Sequence, residues 1–211
     1  MFSIDHFKHG TVKFTVHSQP VSLKSKSDSK AKLKKEIQKK TSESEFIVTG
    51  HCWVSIDYYC KQTKRYKNPG AYDIDNIVKP ILDSLVGKDG LLIDDSLADR
   101  VTVNWIDTHG EDYIIIEVEH PDLLFLSKTD LLFIKSENGW CWPSTQKLIN
   151  SPEVRDLAQL YLGAWDRINT EEEFNEWIWC LPIQPFIYHN KLKSEGYEFI
   201  SLADISDEEK C

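Results

Sequence analysis

No apolar run in this chain approaches the roughly eighteen residues that a membrane-crossing helix requires, and the opening segment MFSIDHFKHG lacks a signal-peptide core. The default expectation is a cytoplasmic protein with no membrane partner. The Gly-rich phosphate loops GxxxxGK[ST] and GxGxxG and the GxSxG nucleophile elbow are all missing, which argues against P-loop, dinucleotide and serine-hydrolase chemistry. Cysteine is sparse: Cys52, Cys60, Cys141, Cys180 and Cys211 are odd in number and none are paired at CxxC spacing. Neither a disulfide framework nor a zinc site is indicated. The seven histidines are scattered, and no internal repeat or sustained heptad occurs.

What is present suits a folded domain with an appendage. With 211 residues, 41% hydrophobic and 28% charged, the chain has material for a sizeable core and falls between one and two domains. Its net charge of -9 is unevenly spread. Residues 1 to 70 carry 14 basic against 6 acidic side chains, residues 71 to 120 carry 3 against 12, and the remainder carries 8 against 16. One lysine cluster spans Lys24 to Lys40, and a second, Lys61, Lys64, Arg65 and Lys67, lies just before Asp73. Such clusters neutralise phosphates by releasing counterions, or they are solvated faces; proximity to Asp73 favours a DNA-binding role for the second. Tyr58, Tyr59, Tyr66 and Tyr72 interleave with it, either to stack on unpaired bases or to close the core.

The run from Asp73 to Asp95, DIDNIVKPILDSLVGKDGLLIDD, is the richest in chemistry. Ile74, Ile77, Val78, Ile81, Leu82, Leu85 and Val86 recur at helical spacing and define one buried face, leaving Asp75, Asn76, Lys79 and Asp83 on the other. Asp75 or Asn76 can cap the start, and Gly87 or Gly90 can end the helix. Leu91, Leu92 and Ile93 then return the chain to Asp94 and Asp95. Converging carboxylates repel one another unless a cation sits among them. Asp73, Asp75 and Asp95 offer the hard oxygen ligands that Mg²⁺ takes, with Lys79 one turn after Asp75. A metal held there would activate water and offset charge on a phosphoryl transition state.

DIDN, then Lys79, then Asp83-Ser-Leu, then Asp94-Asp95-Ser resembles the RusA family of Holliday-junction resolvases in order and spacing, over roughly residues 10 to 120. The resemblance implies a small α/β domain working as a homodimer on branched DNA, the four-way junction. It implies Asp73, Asp75 and Asp95 as metal-binding catalytic carboxylates, Lys79 as the essential basic residue, Mg²⁺ as cofactor, and Asn76, Asp83 and Asp94 as supporting positions. Leu97 and Trp105 stand where the family usually has glutamine and lysine. Beside resolution of junctions, two other readings are open: a non-catalytic DNA-binding or assembly module, and a metal nuclease acting on other branched DNA or on RNA.

Period-two alternation marks strands at 12–16, 46–58 with a possible bulge at Gly50, 101–105 and 114–118, and residues 30–41 read as a lysine-rich helix. The order β-α-β-α-β-β predicts an α/β (α+β) fold, a mixed sheet with helices packed on one face. Pro80 is expected near the first turn of the motif helix, where it loses little hydrogen bonding. The nuclease domain is taken as 1–120. Residues 121–211 are read as an acidic, mainly helical extension holding five of the seven tryptophans, open to a protein partner. Its clearest elements are a helix over 151–167 capped at Ser151-Pro152 and a second starting at Thr170, with short strands at 123–126 and 131–134.

Overall fold

The structure, a computed structural model, describes residues 10–19, 21–67, 73–120, 124–177 and 185–206. The chain divides into two compact units, Met1–Leu123 and Leu124–Cys211. No helix among the described residues is long and apolar enough to cross a membrane.

The first unit is a four-stranded mixed sheet with three helices, the two longer ones where the helical periods require them. Its elements are β1 (Thr11–Val16), α1 (Ser27–Thr41), β2 (Phe46–Val48), β3 (Cys52–Lys61), α2 (Gln62–Lys67), α3 (Ile74–Leu85), a 3₁₀ turn at Asp95–Leu97, β4 (Ala98–Thr108) and β5 (Tyr113–Glu119). The sheet order is β1-β5-β3-β4, with β3 parallel to β4 and antiparallel to β5, and β5 antiparallel to β1. The segment carrying α3 is therefore the crossover of a βαβ unit, and the turn at His109-Gly110 sends the chain past β3 rather than back along β4. Alternate residues of the three strands β1, β3 and β5, among them Val12, Phe14, Val54, Ile56, Ile114 and Ile116, are buried on one face. Leu33 and Ile37 of α1 and Ile77, Ile81 and Leu85 of α3 complete that core, the two helices packing on each other.

Four local expectations change. α1 begins at Ser27 rather than at residue 30, three residues earlier than expected. The strand expected over 46–58 divides around Gly50, because Val48 leaves the main sheet for the return after α3: its N–H donates to the Leu91 carbonyl (2.7 Å) and its carbonyl accepts from Ile93 N–H (3.2 Å). Ile74 is 46% exposed rather than part of the buried helical face, and Pro80 and Ser84 are buried instead. Pro80 is the seventh residue of α3, beyond the first turn. Without a proline N–H the Asn76 carbonyl lacks its helical donor, and Leu23 N–H supplies one at 2.9 Å.

The second unit carries more strand than expected. After β6 (Phe125–Ser127), β7 (Leu131–Lys135) and β8 (Trp140–Thr145) pair antiparallel, β9 (Ile187–Tyr188) borders β8, and β10 (Glu198–Ser201) lies parallel to β7. Helices α4 (Gln146–Ile149), α5 (Pro152–Trp165), α6 (Glu171–Trp177), α7 (His189–Leu192) and α8 (Leu202–Ser206) accompany this four-stranded sheet. The two expected helix starts are there. Pro152 occupies the first turn of α5, and α6 has a capping box in which Thr170 Oγ1 accepts Glu173 N–H (3.2 Å) and the Glu173 carboxylate accepts Thr170 N–H (3.0 Å). Ala158 and Leu162 join Leu132 and Ile134 in the core. Trp140 and Trp142 pack against it, Trp140 meeting Trp165 edge to face at 5.6 Å, so these indoles serve the unit's own interior.

Candidate functional site

The motif carboxylates sit at three different places along α3 and its return. Asp73 is the residue that caps α3, in extended conformation, in place of the expected Asp75 or Asn76; its side chain makes no capping hydrogen bond. Asp75 lies in the first turn, exposed, with Asn76 Nδ2 at 3.4 Å from its Oδ1. One turn further on, Lys79 extends its amine to Asp83 Oδ1 (2.7 Å) and also donates to Asp95 Oδ2, at the head of the 3₁₀ turn. A single lysine thus ties the polar face of the helix to the loop that follows it.

The return is built to deliver Asp95. α3 stops at Leu85, Gly87 turns the chain at a φ of +104°, and the Leu85 carbonyl accepts both Leu91 N–H (2.7 Å) and Leu92 N–H (2.9 Å). Leu91, Leu92 and Ile93 are fully buried, which anchors the chain immediately before Asp94. Asp94 is itself buried, and its Oδ1 accepts the Ser96 N–H at 2.9 Å and the Ser96 hydroxyl. Asp94 therefore shapes the turn, and Asp95 presents the carboxylate.

Hydrogen bonding first to Asp83 and then to Asp95 holds the Lys79 amine well above the ordinary lysine range, against an opposing effect of burial. The raised value keeps Lys79 charged as pH climbs past the point where a free lysine titrates; the favourable pairing is complete below that point and disappears only as the folded-state value is passed. An NMR titration of the Lys79 side chain is expected to show a midpoint above that of the exposed lysines. Asp83→Asn should bring it down, and an unshifted midpoint in the wild type would contradict the pairing.

Among the described residues, no three histidine, cysteine, aspartate or glutamate side chains are gathered closely enough to hold a metal. The structure brings Asp83 and Asp95 to Lys79; it does not draw Asp73, Asp75 and Asp95 into one ligand set. The donors themselves suit a hard divalent cation, being carboxylate oxygens on exposed or half-buried side chains, a set that Mg²⁺ completes with water and substrate oxygens.

The basic segment before the motif forms α2, a helix that strand and helix periodicity did not reveal. Lys64 is committed to the fold: its amine lies 2.6 Å from Oδ2 of Asp112, whose side chain is only 2% exposed, and Lys61 N–H donates to the other oxygen at 2.8 Å. Lys61 and Lys67 side chains are exposed, and the Arg65 side chain lies outside the described residues. Asp112 was not legible as a partner, because nothing within a few residues of it announces a pairing 48 positions away. Of the tyrosines, Tyr58 is core, its hydroxyl donating to the Ser18 carbonyl (3.3 Å). Tyr59 stacks on Tyr113 at 4.2 Å, and Tyr66 is 63% exposed with its hydroxyl on Asp107. Tyr72 falls outside the described residues. Trp105, at the position where lysine was expected, stacks on Tyr58 at 5.4 Å.

A family model described as Endodeoxyribonuclease RusA matches residues 9–119. The chain belongs to the RusA family. The match takes in every element of the first unit from β1 to β5, with Asp73, Asp75, Lys79 and Asp95 inside it. The second unit lies beyond the matched residues. No curated protein matches the chain.

Proposed function

We propose that this RusA domain is a Mg²⁺-dependent nuclease that resolves four-way DNA junctions by hydrolysing phosphodiesters. The observation that carries the proposal is the Lys79 bridge from α3 to Asp95, one turn from Asp75, within the segment matched to the family. Asp73, Asp75 and Asp95 would hold the cation, which when bound supplies Lewis acidity toward water and the scissile phosphate. Lys79 orients Asp95 and places positive charge where charge develops on the phosphate oxygens. Asp83 positions the lysine from the solvent side. Asp94 fixes the loop and takes no ligand role.

Resolution requires nicks in two symmetry-related strands, and one site per chain implies a C₂ homodimer. Incubation with a synthetic four-way junction, with and without Mg²⁺, tests this reading: paired symmetric nicks that appear only with the metal are expected. Tight binding with no cut would instead identify a DNA-binding module, and equal cleavage of single strands or RNA would move the substrate away from the junction.

A further inference from the structure

The exposed side of α1 carries a row of charge that the site around Lys79 does not use. Leu33, Ile37 and Thr41 point inward, and Lys32, Lys35 and Lys39 follow one another at three- and four-residue intervals on the opposite, exposed side, with Lys24 and Lys26 exposed just before the helix. Asp28 and Glu36 are the acidic residues of α1, and among the described residues no ion pair involves these five lysines.

Local pairing does not account for the whole row: although Lys32 has Asp28 and Glu36 four residues to either side, Lys35 and Lys39 are like charges four apart, costing a few tenths of a kcal/mol. Nothing in the packing of α1 needs them. In a chain of net charge -9 the concentration of lysine here is the reverse of the general trend, and a polyanion would relieve the repulsion.

The row is also fixed with respect to the catalytic motif. Leu23 N–H, just ahead of α1, binds the Asn76 carbonyl beside Asp75, and Thr41 Oγ1 at the helix end donates to the Asp89 carbonyl in the return toward Asp95 (2.6 Å). Both ends of the lysine helix are thus fastened to the segment that bears the site. A groove of about 500 Å³ runs beside it, where His17, Ser25, Ser29 and Lys32 offer polar groups and Glu36 is the acidic exception. Hydroxyl, imidazole and ammonium groups are the usual partners of phosphate and sugar oxygens.

We propose that the outer face of α1, through Lys32, Lys35 and Lys39, binds the phosphate backbone of a duplex DNA arm and holds it beside the Lys79 site. The surface reads no sequence. This extends the proposed nuclease function to a second contact with the same DNA, and it can stand or fall separately.

The test is the salt dependence of binding by the full chain to a four-way junction and to a plain duplex, with EDTA present so that nothing is cut. Replacing Lys32, Lys35 and Lys39 together by glutamine is expected to make the slope of log affinity against log salt shallower by about 2 to 3, with affinity near 0.1 M salt falling about a hundredfold. The same three positions changed to arginine should keep the slope, and the glutamine variant should melt close to wild type, because the one like-charge pair it loses, Lys35 with Lys39, and the opposite-charge pairs of Lys32 with Asp28 and Glu36 are each worth only tenths of a kcal/mol. A matched change of Lys128, Lys147 and Lys193 to glutamine in the second unit should leave the slope as it was. An unchanged slope in the α1 variant, an equal loss in the matched control, or no DNA binding by the wild type overturns the proposal. If the α1 slope falls as expected but Mg²⁺ brings no cleavage, the arm surface stands and the nuclease reading falls.

Discussion

On the proposed function, Asp75→Asn and Asp95→Asn are each expected to lower the rate of junction cleavage by about 10²- to 10³-fold, the scale of losing one preorganised electrostatic contact to the transition state, here made through the cation each carboxylate would hold, while binding to the uncut junction is expected to persist. The two substitutions are nearly isosteric and fall on an exposed helical turn and on a half-buried loop residue, so neither removes a core contact. Their effects on Lys79 differ. Asp95→Asn strips the amine of one of its two carboxylate partners and lowers its titration midpoint, whereas Asp75→Asn leaves both partners in place. Cleavage rates at saturating junction and Mg²⁺, with Lys79 followed by NMR in the same variants, separate a lost ligand from a displaced lysine. Cleavage within tenfold of wild type in Asp75→Asn would remove that carboxylate from the proposed chemistry.

The second large effect is on stability. Gly90→Ala is expected to destabilise the first unit by about 3 kcal/mol or more, at or beyond the upper end of the usual cost of overpacking. A Cβ at this position would stand 2.2 Å from the Leu85 carbonyl oxygen, 2.6 Å from its carbon and 2.8 Å from the Val86 carbonyl carbon. These are backbone atoms, so no side-chain rotation relieves the clash. The Leu85 carbonyl is also the acceptor for Leu91 and Leu92 N–H, so forcing it aside loosens the return that presents Asp95. Thermal unfolding followed through the first unit should show a midpoint lower by roughly 12 °C or more, with cleavage reduced at temperatures where the variant is still folded. Gly110→Ala is the control: the nearest atom to its added Cβ is Thr108 Oγ1 at 3.6 Å, and no shift is expected. A Gly90→Ala protein as stable as wild type would show that the return has room that this packing denies.

Much of the first unit was legible because its signals are local. Alternation along 12–16, 52–58 and 114–118 identified strands with one buried face, and the helical recurrence of Ile77, Ile81 and Leu85 identified α3. Where a nonlocal partner intervened, the reading shifted. The strand expected to run from 46 divided because Val48 found the return after α3; Pro80 sat deeper in its helix than expected because Leu23, more than fifty residues earlier, supplied the missing donor. In the second unit the helix starts were readable from Ser151-Pro152 and Thr170-Glu173. The sheet was harder to see: β9 has two residues, and β8 contains Pro143.

For the site, the sequence by itself determined the order and spacing of Asp73, Asp75, Lys79, Asp83 and Asp95, and with them the family. It also determined that three of these would share one face of a helix, since a period of 3.6 residues is enough to say so. Only the tertiary structure decided that Lys79 meets Asp83 and Asp95 together, that Asp94 is spent on the loop, and that Lys64 is claimed by buried Asp112. The physical reason is one of range. Helical and strand periods are properties of neighbouring residues, whereas an ion pair between elements depends on how a return loop packs, and that is set by buried contacts such as those of Leu91, Leu92 and Ile93 with residues far away in the chain.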